Sequence, residues 1–316
     1  MKEKKSEHAS KMKQCLRCGE KIYGTTLLHP PCAKMVFGVN YLPVVDLEPD
    51  EIPVPQPLEN GRQSISFVQP EIHLTFNRYF KEMEKKGRKP GYIFKPAVEG
   101  IPRVPELQNL ALGIAARLGI AVPRHSLIRL KDGSTTGLIL KRFDRIKGEK
   151  IRTKTFTRLL NKEHIHDGSL EDIGAKIWKI SQIPGLDVQL FFEMILLSFL
   201  IGHSDLHFDK FSILYDEKRN VRLAPMKDLV STKLLFPNED DFALPMLGKT
   251  DNITGDDLAA FARHLDIPQK AYDKMVLRFF DGKRSIGRLI KHSILDMNDK
   301  IKFEDIVNDR FKRLLT

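Results

Sequence analysis

The run LDVQLFFEMILLSFLI, residues 186–201, constrains this chain more than any other stretch. It is apolar nearly all round a helix, so neither of its faces suits water. Gln189 and Glu193 interrupt it, and it falls short of the ~20 residues that span a bilayer. It therefore reads as the buried centre of a folded lobe. The chain then leaves this helix through GHSDLHFDKFSIL, residues 202–214. A polar word between two apolar runs looks like a catalytic loop carried by a core helix, with Asp205 and His207 as its chemical groups.

A chain of 316 residues, 41% hydrophobic and 29% charged, can bury a sizeable core and fill more than one lobe. The net charge of +11 favours acidic partners such as nucleotides, nucleic acid or an acidic protein. Charge spread over the surface for solubility is the plainer reading. The start, MKEKKSEHASKMK, has no apolar core and resembles neither a signal nor a transit peptide. The expectation is a soluble, cytoplasmic protein with no membrane partner.

The chain has three cysteines, Cys15, Cys18 and Cys32. With His29 they spell C-x2-C-x10-H-x2-C, a poor basis for a disulfide framework. Two short chelating pairs suit a tetrahedral Zn²⁺, closed by four protein ligands and therefore structural. Reduced, unligated cysteines are the alternative. Gly19 follows the first pair, where a tight turn is needed. Residues 1–40 thus form a candidate metal leader. Residues 41–62 are proline-rich and acidic, and read as an extended connector.

The next residues, 63–143, are strand-rich with one helix. QSISFVQPEIHLTFNR alternates around Gln69-Pro70 and predicts two short strands; GYIFKP predicts another, ending near Lys95. Residues 104–118 have helical spacing, with Pro105 in the first turn. AVPRHSLIRL and TTGLILKRFDR predict a strand pair. Residues 144–316 are mainly helical, with predicted helices at 154–161, 169–182 and three amphipathic segments nearer the end. The whole is α+β and two-lobed. In such a fold Lys95, Asp205 and Asp228 suit phosphoryl transfer, which needs mainly positioning and charge neutralisation. Taken singly, each Asp is as well explained as a turn or cap residue, and Lys95 as a solvated surface lysine.

The words CLRC…HPPCAKMVFG, SISFVQPEIHL, YIFKP, VPELQNL, KRFDR, GHSDLHFDKFSIL and LAPMKDLVS, in that order, resemble the HipA-like serine/threonine kinases of bacterial toxin–antitoxin systems. The likeness is nearest to short HipT-type members and to a group with a Cys-rich leader. It implies a two-lobed protein-kinase-like fold that uses ATP and Mg²⁺. It implies Asp205 as the catalytic acceptor of the substrate proton and Asp228 as the Mg²⁺ ligand. Lys95 would contact phosphates, and Lys141 to Phe143 would form the adenine hinge. His207, Ser66 and Gln69 would lie at the nucleotide, with Ser64 and Ser66 as autophosphorylation candidates. A protein substrate, an antitoxin-like partner, and nucleic acid only through that partner complete the expectation.

Five positions depart from the family's pattern. Phe67 stands for a phosphate-loop glycine and Glu71 for its lysine. Gln108 stands for the helix glutamate that would pair with Lys95, so it is expected to hydrogen-bond Lys95 without neutralising it. His203 and Lys210 stand for two asparagines of the catalytic loop, and Lys210 has no acceptor for Mg²⁺. Asp209 beside it is expected to point elsewhere. Lys210 could instead act as a positive charge near the phosphates. Impaired activity is therefore expected, with a pseudokinase acting as a binding or regulatory partner as the alternative. A zinc-bearing regulator associated with nucleic acid is the third reading.

Overall fold

Strand alternation builds the first lobe. The structure, a computed structural model, describes residues 13–53 and 64–316 apart from 86, 88, 132, 134, 135, 147, 217 and 219. A two-stranded knuckle comes first, β1 (Lys13–Gln14) with β2 (Lys21–Ile22), then helix α1 (Pro30–Phe37). Strand β3 (Val44–Val45) and the one-turn helix α2 (Ile65–Val68) follow. Strands β4 (Ile72–Asn77), β5 (Glu82–Glu84) and β6 (Tyr92–Pro96) lead to helix α3 (Val104–Arg117). Strands β7 (His125–Arg129) and β8 (Thr136–Lys141) complete a six-stranded sheet ordered β3-β5-β4-β6-β8-β7. All its pairings are antiparallel except β3 with β5.

The two faces of this sheet bury different partners, as a period of two requires. Phe94, Ile139, Ile72 and Leu74 share a core with Ala33, Val36 and Phe37 of α1. Leu138 and Leu140 join a core with α3 and the second lobe. The leader thus packs as a layer on the sheet rather than trailing from it. Two segments differ from the pattern their sequence predicts. Residues 42–53 are not a free extended connector: Val44–Val45 pairs with β5, Val45 bridges Leu130, and Pro49–Glu51 forms a 3-10 turn. Its remainder, 54–62, lies outside the described residues. The Ser64–Gln69 stretch is helical, not a strand, with the Gln69 N–H donating to the Ile65 carbonyl and Pro70 ending the turn.

A hairpin, β9 (Arg145–Ile146) with β10 (Glu149–Lys150), leads into the helical lobe. Strand β11 (Thr153–Thr155) enters short helix α4 (Phe156–Leu160), followed by α5 (Leu170–Ile180) and α6 (Pro184–Ile201). Strands β12 (Ser212–Tyr215) and β13 (Val221–Leu223) join β11 in a three-stranded sheet. The short helix α7 (Thr232–Leu235) precedes α8 (Gly255–His264), α9 (Gln269–His292) and α10 (Met297–Arg313).

Helix α6 is the centre that its composition demands. Among the described residues it alone is long and apolar enough to cross a membrane, yet 72% of that window is buried inside the fold. Its first turn carries fully buried Asp187, which accepts from Ser181 Oγ at 2.6 Å and from the Leu223 N–H at 3.0 Å, and pairs with Arg222 at 2.9 Å. Burying a carboxylate is tolerable only with partners of this kind. At its other end Gly202 takes φ +66, and a Cβ there would stand 2.9 Å from Lys233 Cβ. A glycine is what allows the chain to turn out of α6 into the 203–210 loop.

Candidate functional site

The loop after α6 is pinned from three sides. The His203 N–H donates to the Ser198 carbonyl at 2.8 Å, and its ring Nδ1 lies 3.0 Å from the Val230 carbonyl. The Ser204 N–H donates to Thr232 Oγ1 at 2.7 Å. A 3-10 turn, Phe208–Lys210, then folds back so that the Asp209 N–H donates to His207 Nδ1 at 3.2 Å. That bond fixes the tautomer, leaving the proton of a neutral His207 on Nε2. Burial and the nearby charge of Lys210 push His207 down to about 3 and His203 to about 4.

His207 Nε2 lies 3.0 Å from Ser64 Oγ, and Ser64 Oγ lies 2.5 Å from Asp205 Oδ2. With the tautomer above, the chain of donors runs from His207 through the Ser64 hydroxyl to the Asp205 carboxylate. Lys210 Nζ meets the same Oδ2 at 2.7 Å. Burial opposes ionisation of Asp205, but the charge of Lys210 leads the groups that outweigh it and hold the carboxyl below its ordinary range.

The second carboxylate is neutralised by different lysines. Lys95, on β6 and 1% exposed, sits 2.6 Å from Asp228 Oδ1 and 2.8 Å from Glu71. Lys227 lies 3.3 Å from Asp228 Oδ2 and 3.6 Å from Glu71. Burial works against ionised Asp228, yet Lys95, Lys227 and Lys210 overcome it and hold the carboxyl well below its usual range. Burial alone would favour a neutral Lys95; Asp228 and Glu71 reverse that and raise it. Glu71 is likewise lowered, burial being outweighed by Lys95 and Lys227. The charge that Glu71 brings is therefore compensated, which no local pattern in the chain announces. The missed residue is Lys227, and its only signal was adjacency to Asp228.

Gln108 does not reach toward Lys95 as expected. Its Nε2 donates to Gln69 Oε1 at 2.8 Å, and Gln69 Nε2 donates to the Pro96 carbonyl at 2.8 Å. The two amides thus tie α3 and the Ser64 turn to the end of β6. The side chains of Ser66 and Phe67 lie outside the described residues.

A cleft of about 380 Å³ opens between the lobes beside these groups. Ile93, Leu140 and Pro123 supply apolar wall, the 141–143 segment an edge, and His207, Lys227 and Asp228 a polar end. Within that segment the Lys141 and Arg142 N–H groups donate to the Arg124 and Gly91 carbonyls at 2.8 and 2.9 Å. The size and mixed lining suit a nucleotide. A divalent ion fits less well. Both Asp228 oxygens face lysines, and Asp205 Oδ2 faces Lys210 and Ser64. Asp209, expected to point elsewhere, lines this cleft, and its Oδ1 is buried without a hydrogen-bond partner.

The other cluster lies in the leader. One ligand atom each from Cys15, Cys18, His29 and Cys32 falls within 4.8 Å of the rest. Such a set could hold zinc. Hydrogen bonds from Cys18 and Cys32 hold the Cys15 thiol below its usual range, and the same contacts with Cys15 raise Cys18 and Cys32. Three crowded sulfurs cannot all carry charge unaided.

Residues 64–283 match the family model of the HipA-like C-terminal domain. A Haemophilus influenzae protein named "Putative kinase" is 24% identical over 301 residues, covering 82% of this chain and 85% of its own. "Putative kinase Y4dM" of Sinorhizobium fredii is 28% identical over 200 residues, 58% of this chain and 48% of its own. Among solved structures, HipA of Shewanella oneidensis MR-1, in a complex with HipB and operator DNA, aligns with a TM-score of 0.67 at 21% identity. That alignment covers 84% of this chain and 68% of HipA. The Helicobacter pylori proinflammatory kinase CtkA aligns with a TM-score of 0.58 at 16% identity, over 86% of this chain and 95% of CtkA. These likenesses show the fold.

Proposed function

The chain belongs to the HipA-like C-terminal domain family, and from that premise we propose that it is an ATP-dependent serine/threonine protein kinase of toxin–antitoxin type, restrained by its own lysines. The observation that carries this reading is the 2.5 Å contact from Ser64 Oγ to Asp205 Oδ2. A catalytic base must lie within hydrogen-bond reach of the hydroxyl it deprotonates, and here a serine already lies there. ATP would enter the cleft with its base against Ile93 and Leu140, beside the hinge at Lys141 and Phe143. Its phosphates would meet Lys95 and Lys227.

A substrate serine or threonine would take the place of Ser64, lose its proton to Asp205, and accept the phosphoryl group as ADP leaves. Ser64 itself is the foremost candidate for modification in cis, with Ser66 beside it in sequence. Phosphate on Ser64 would set a charge of about −1.5 to −2 against Asp205 and drive the 64–69 turn away. Asp228 is the expected Mg²⁺ ligand, but the lysines around it oppose that role, so no step is assigned to the ion. An antitoxin-like protein is the proposed partner in the cytoplasm, with nucleic acid reached only through it.

Thermal melting with ATP, in magnesium and then in a chelator of magnesium, tests the reading. ATP should stabilise the chain, and Asp228→Ala should change that response. Transfer from labelled ATP should occur and vanish in Asp205→Ala; transfer that survives sinks the role given to Asp205. One observation favours a second reading, a pseudokinase that binds a partner: Lys210 neutralises the base at 2.7 Å. Stabilisation by ATP with no transfer to any protein, itself included, would select it.

A further inference from the structure

We propose that the leader is a structural zinc site whose metal-held knuckle clasps the two lobes together, so that metal occupancy governs the seam between α3 and α9.

The ligand set is already arranged for a tetrahedral ion. The turn from Cys15 to Cys18 is closed by the Gly19 N–H donating to the Cys15 carbonyl at 2.9 Å. His29 precedes α1 and Cys32 lies in its first turn, where the helix dipole favours a thiolate. His29 Nε2 lies 3.0 Å from the Lys21 carbonyl, so it carries the proton and Nδ1 presents its lone pair to the sulfurs. Nδ1 stands 3.4 Å from Cys18 Sγ and 3.9 Å from Cys32 Sγ. Bonds of about 2.3 and 2.0 Å at tetrahedral angles around zinc give an edge of about 3.5 Å, between those two values. Strands of two residues and a helix of eight are too short to hold this geometry alone.

The knuckle touches both lobes within a few residues. Toward the first lobe, the Leu16 carbonyl accepts from the Leu127 N–H at 3.3 Å, and Asn109 Nδ2 on α3 donates to the Arg17 carbonyl at 3.3 Å. Toward the second, Gln14 Nε2 donates to the His292 carbonyl at 3.2 Å, and Glu20 sits 2.8 Å from His292 Nδ1. Gly19 lies so close to the end of α9 that a Cβ would stand 1.9 Å from the His292 carbonyl oxygen. A cavity of only about 20 Å³ remains where Cys18, Asn109 and Ser293 meet. Leu16, Arg17, Gly19 and Glu20, which dock, lie between the ligands, and Gln14 directly precedes the first, so the ion that orders the turn also orders the dock.

The test uses the full chain. Zinc content is measured first, then amide hydrogen exchange before and after a strong chelator, and again after zinc is restored. One zinc per chain is expected. Chelation should speed exchange roughly tenfold or more at the end of α9 and the start of α3, as well as in the leader, and zinc should reverse it. Absence of zinc, or faster exchange confined to residues 13–38, overturns the proposal. Gly19→Ala keeps all four ligands while driving a methyl into the His292 carbonyl. It should retain zinc yet expose the end of α9. Because Gly19 also has φ +71, Glu20→Ala serves as the second variant, with a smaller effect in the same place. Full protection of α9 in both variants overturns the clasp.

Discussion

The cleft and the leader meet the same electrostatic problem and solve it differently. Each crowds groups that carry or seek negative charge. In the cleft, Asp205, Asp228 and Glu71 are balanced by Lys210, Lys95 and Lys227, which the chain supplies itself. In the leader, three thiols and an imidazole converge, a set that suits a soft cation rather than a lysine. The difference teaches where a metal belongs in this molecule. A zinc ion would complete the leader, whereas a divalent ion in the cleft would first have to displace an amine.

Chelation should therefore separate the two regions, and it is the largest effect expected. Structural zinc contributes on the order of 10 kcal/mol to the folding of isolated zinc peptides, and part of that should be lost here. A strong chelator is expected to lower the melting temperature clearly. Excess Mg²⁺ without nucleotide should leave it unchanged, because the cleft carboxylates already hold lysines. A rise with Mg²⁺ alone would break the comparison.

Next in size is Lys95→Met. It leaves buried Asp228 with Lys227 and deprives Glu71 of its nearer cation. Removing one partner of a buried pair costs about 3–5 kcal/mol. Denaturant unfolding should show a loss of that order, and a loss below about 1 kcal/mol would mean that Lys227 and Lys210 suffice for Asp228.

Acid should weaken the cleft by a smaller, calculable step. Burial holds His203 at about 4 and His207 at about 3, while His125, in the sheet, is held at about 4. In the unfolded chain an imidazole titrates near 6.5. The unfolded state thus takes the proton first. The stabilisation is complete above about pH 6.5 and is lost as pH falls toward the folded values. At pH 5 each ring costs about 2 kcal/mol relative to pH 8. Ring signals followed by NMR should stay neutral for all three at pH 5; protonation of His207 near 6 would show that the Ser64–Asp205 contact opens freely.

Much of this architecture was legible in the chain, for physical reasons that differ by segment. Helix α6 announces itself because no face of it suits water, and Tyr92–Pro96 because its continuous run of Tyr, Ile and Phe matches a strand covered on both faces. The Ser64–Gln69 turn is hidden in the sequence because its apolar residues alternate like a strand. Its shape instead serves a contact 141 residues away, which no local pattern encodes. Val44–Val45 reads as connector because prolines lie near it, and its pairing with β5 and its bridge to Leu130 depend on distant segments. Around the cleft, Lys95, Asp205, His207 and Asp228 each stand in a sequence word that carries its own signal. Lys227 and the Gln108–Gln69 bond escaped because they depend on how side chains turn after the lobes meet.

The smallest effect is the most diagnostic. Lys210→Asn removes the amine that sits 2.7 Å from Asp205 Oδ2 and supplies an acceptor in its place. Asp205 then regains basicity, since Lys210 is the chief charge holding its carboxyl down. A base with a pKa nearer the working pH is the more effective one. Transfer from labelled ATP should rise by about tenfold, equivalent to about 1.4 kcal/mol, and should gain a dependence on Mg²⁺. Stability should fall as well, because a buried ion pair is lost, although Ser64 still donates to the carboxylate. If transfer is unchanged in Lys210→Asn but rises in Glu71→Lys, the restraint lies in the 64–71 segment. The cleft's self-sufficiency in charge would then belong to Asp228 alone, and Lys210 would be a bystander to the difference between the two regions.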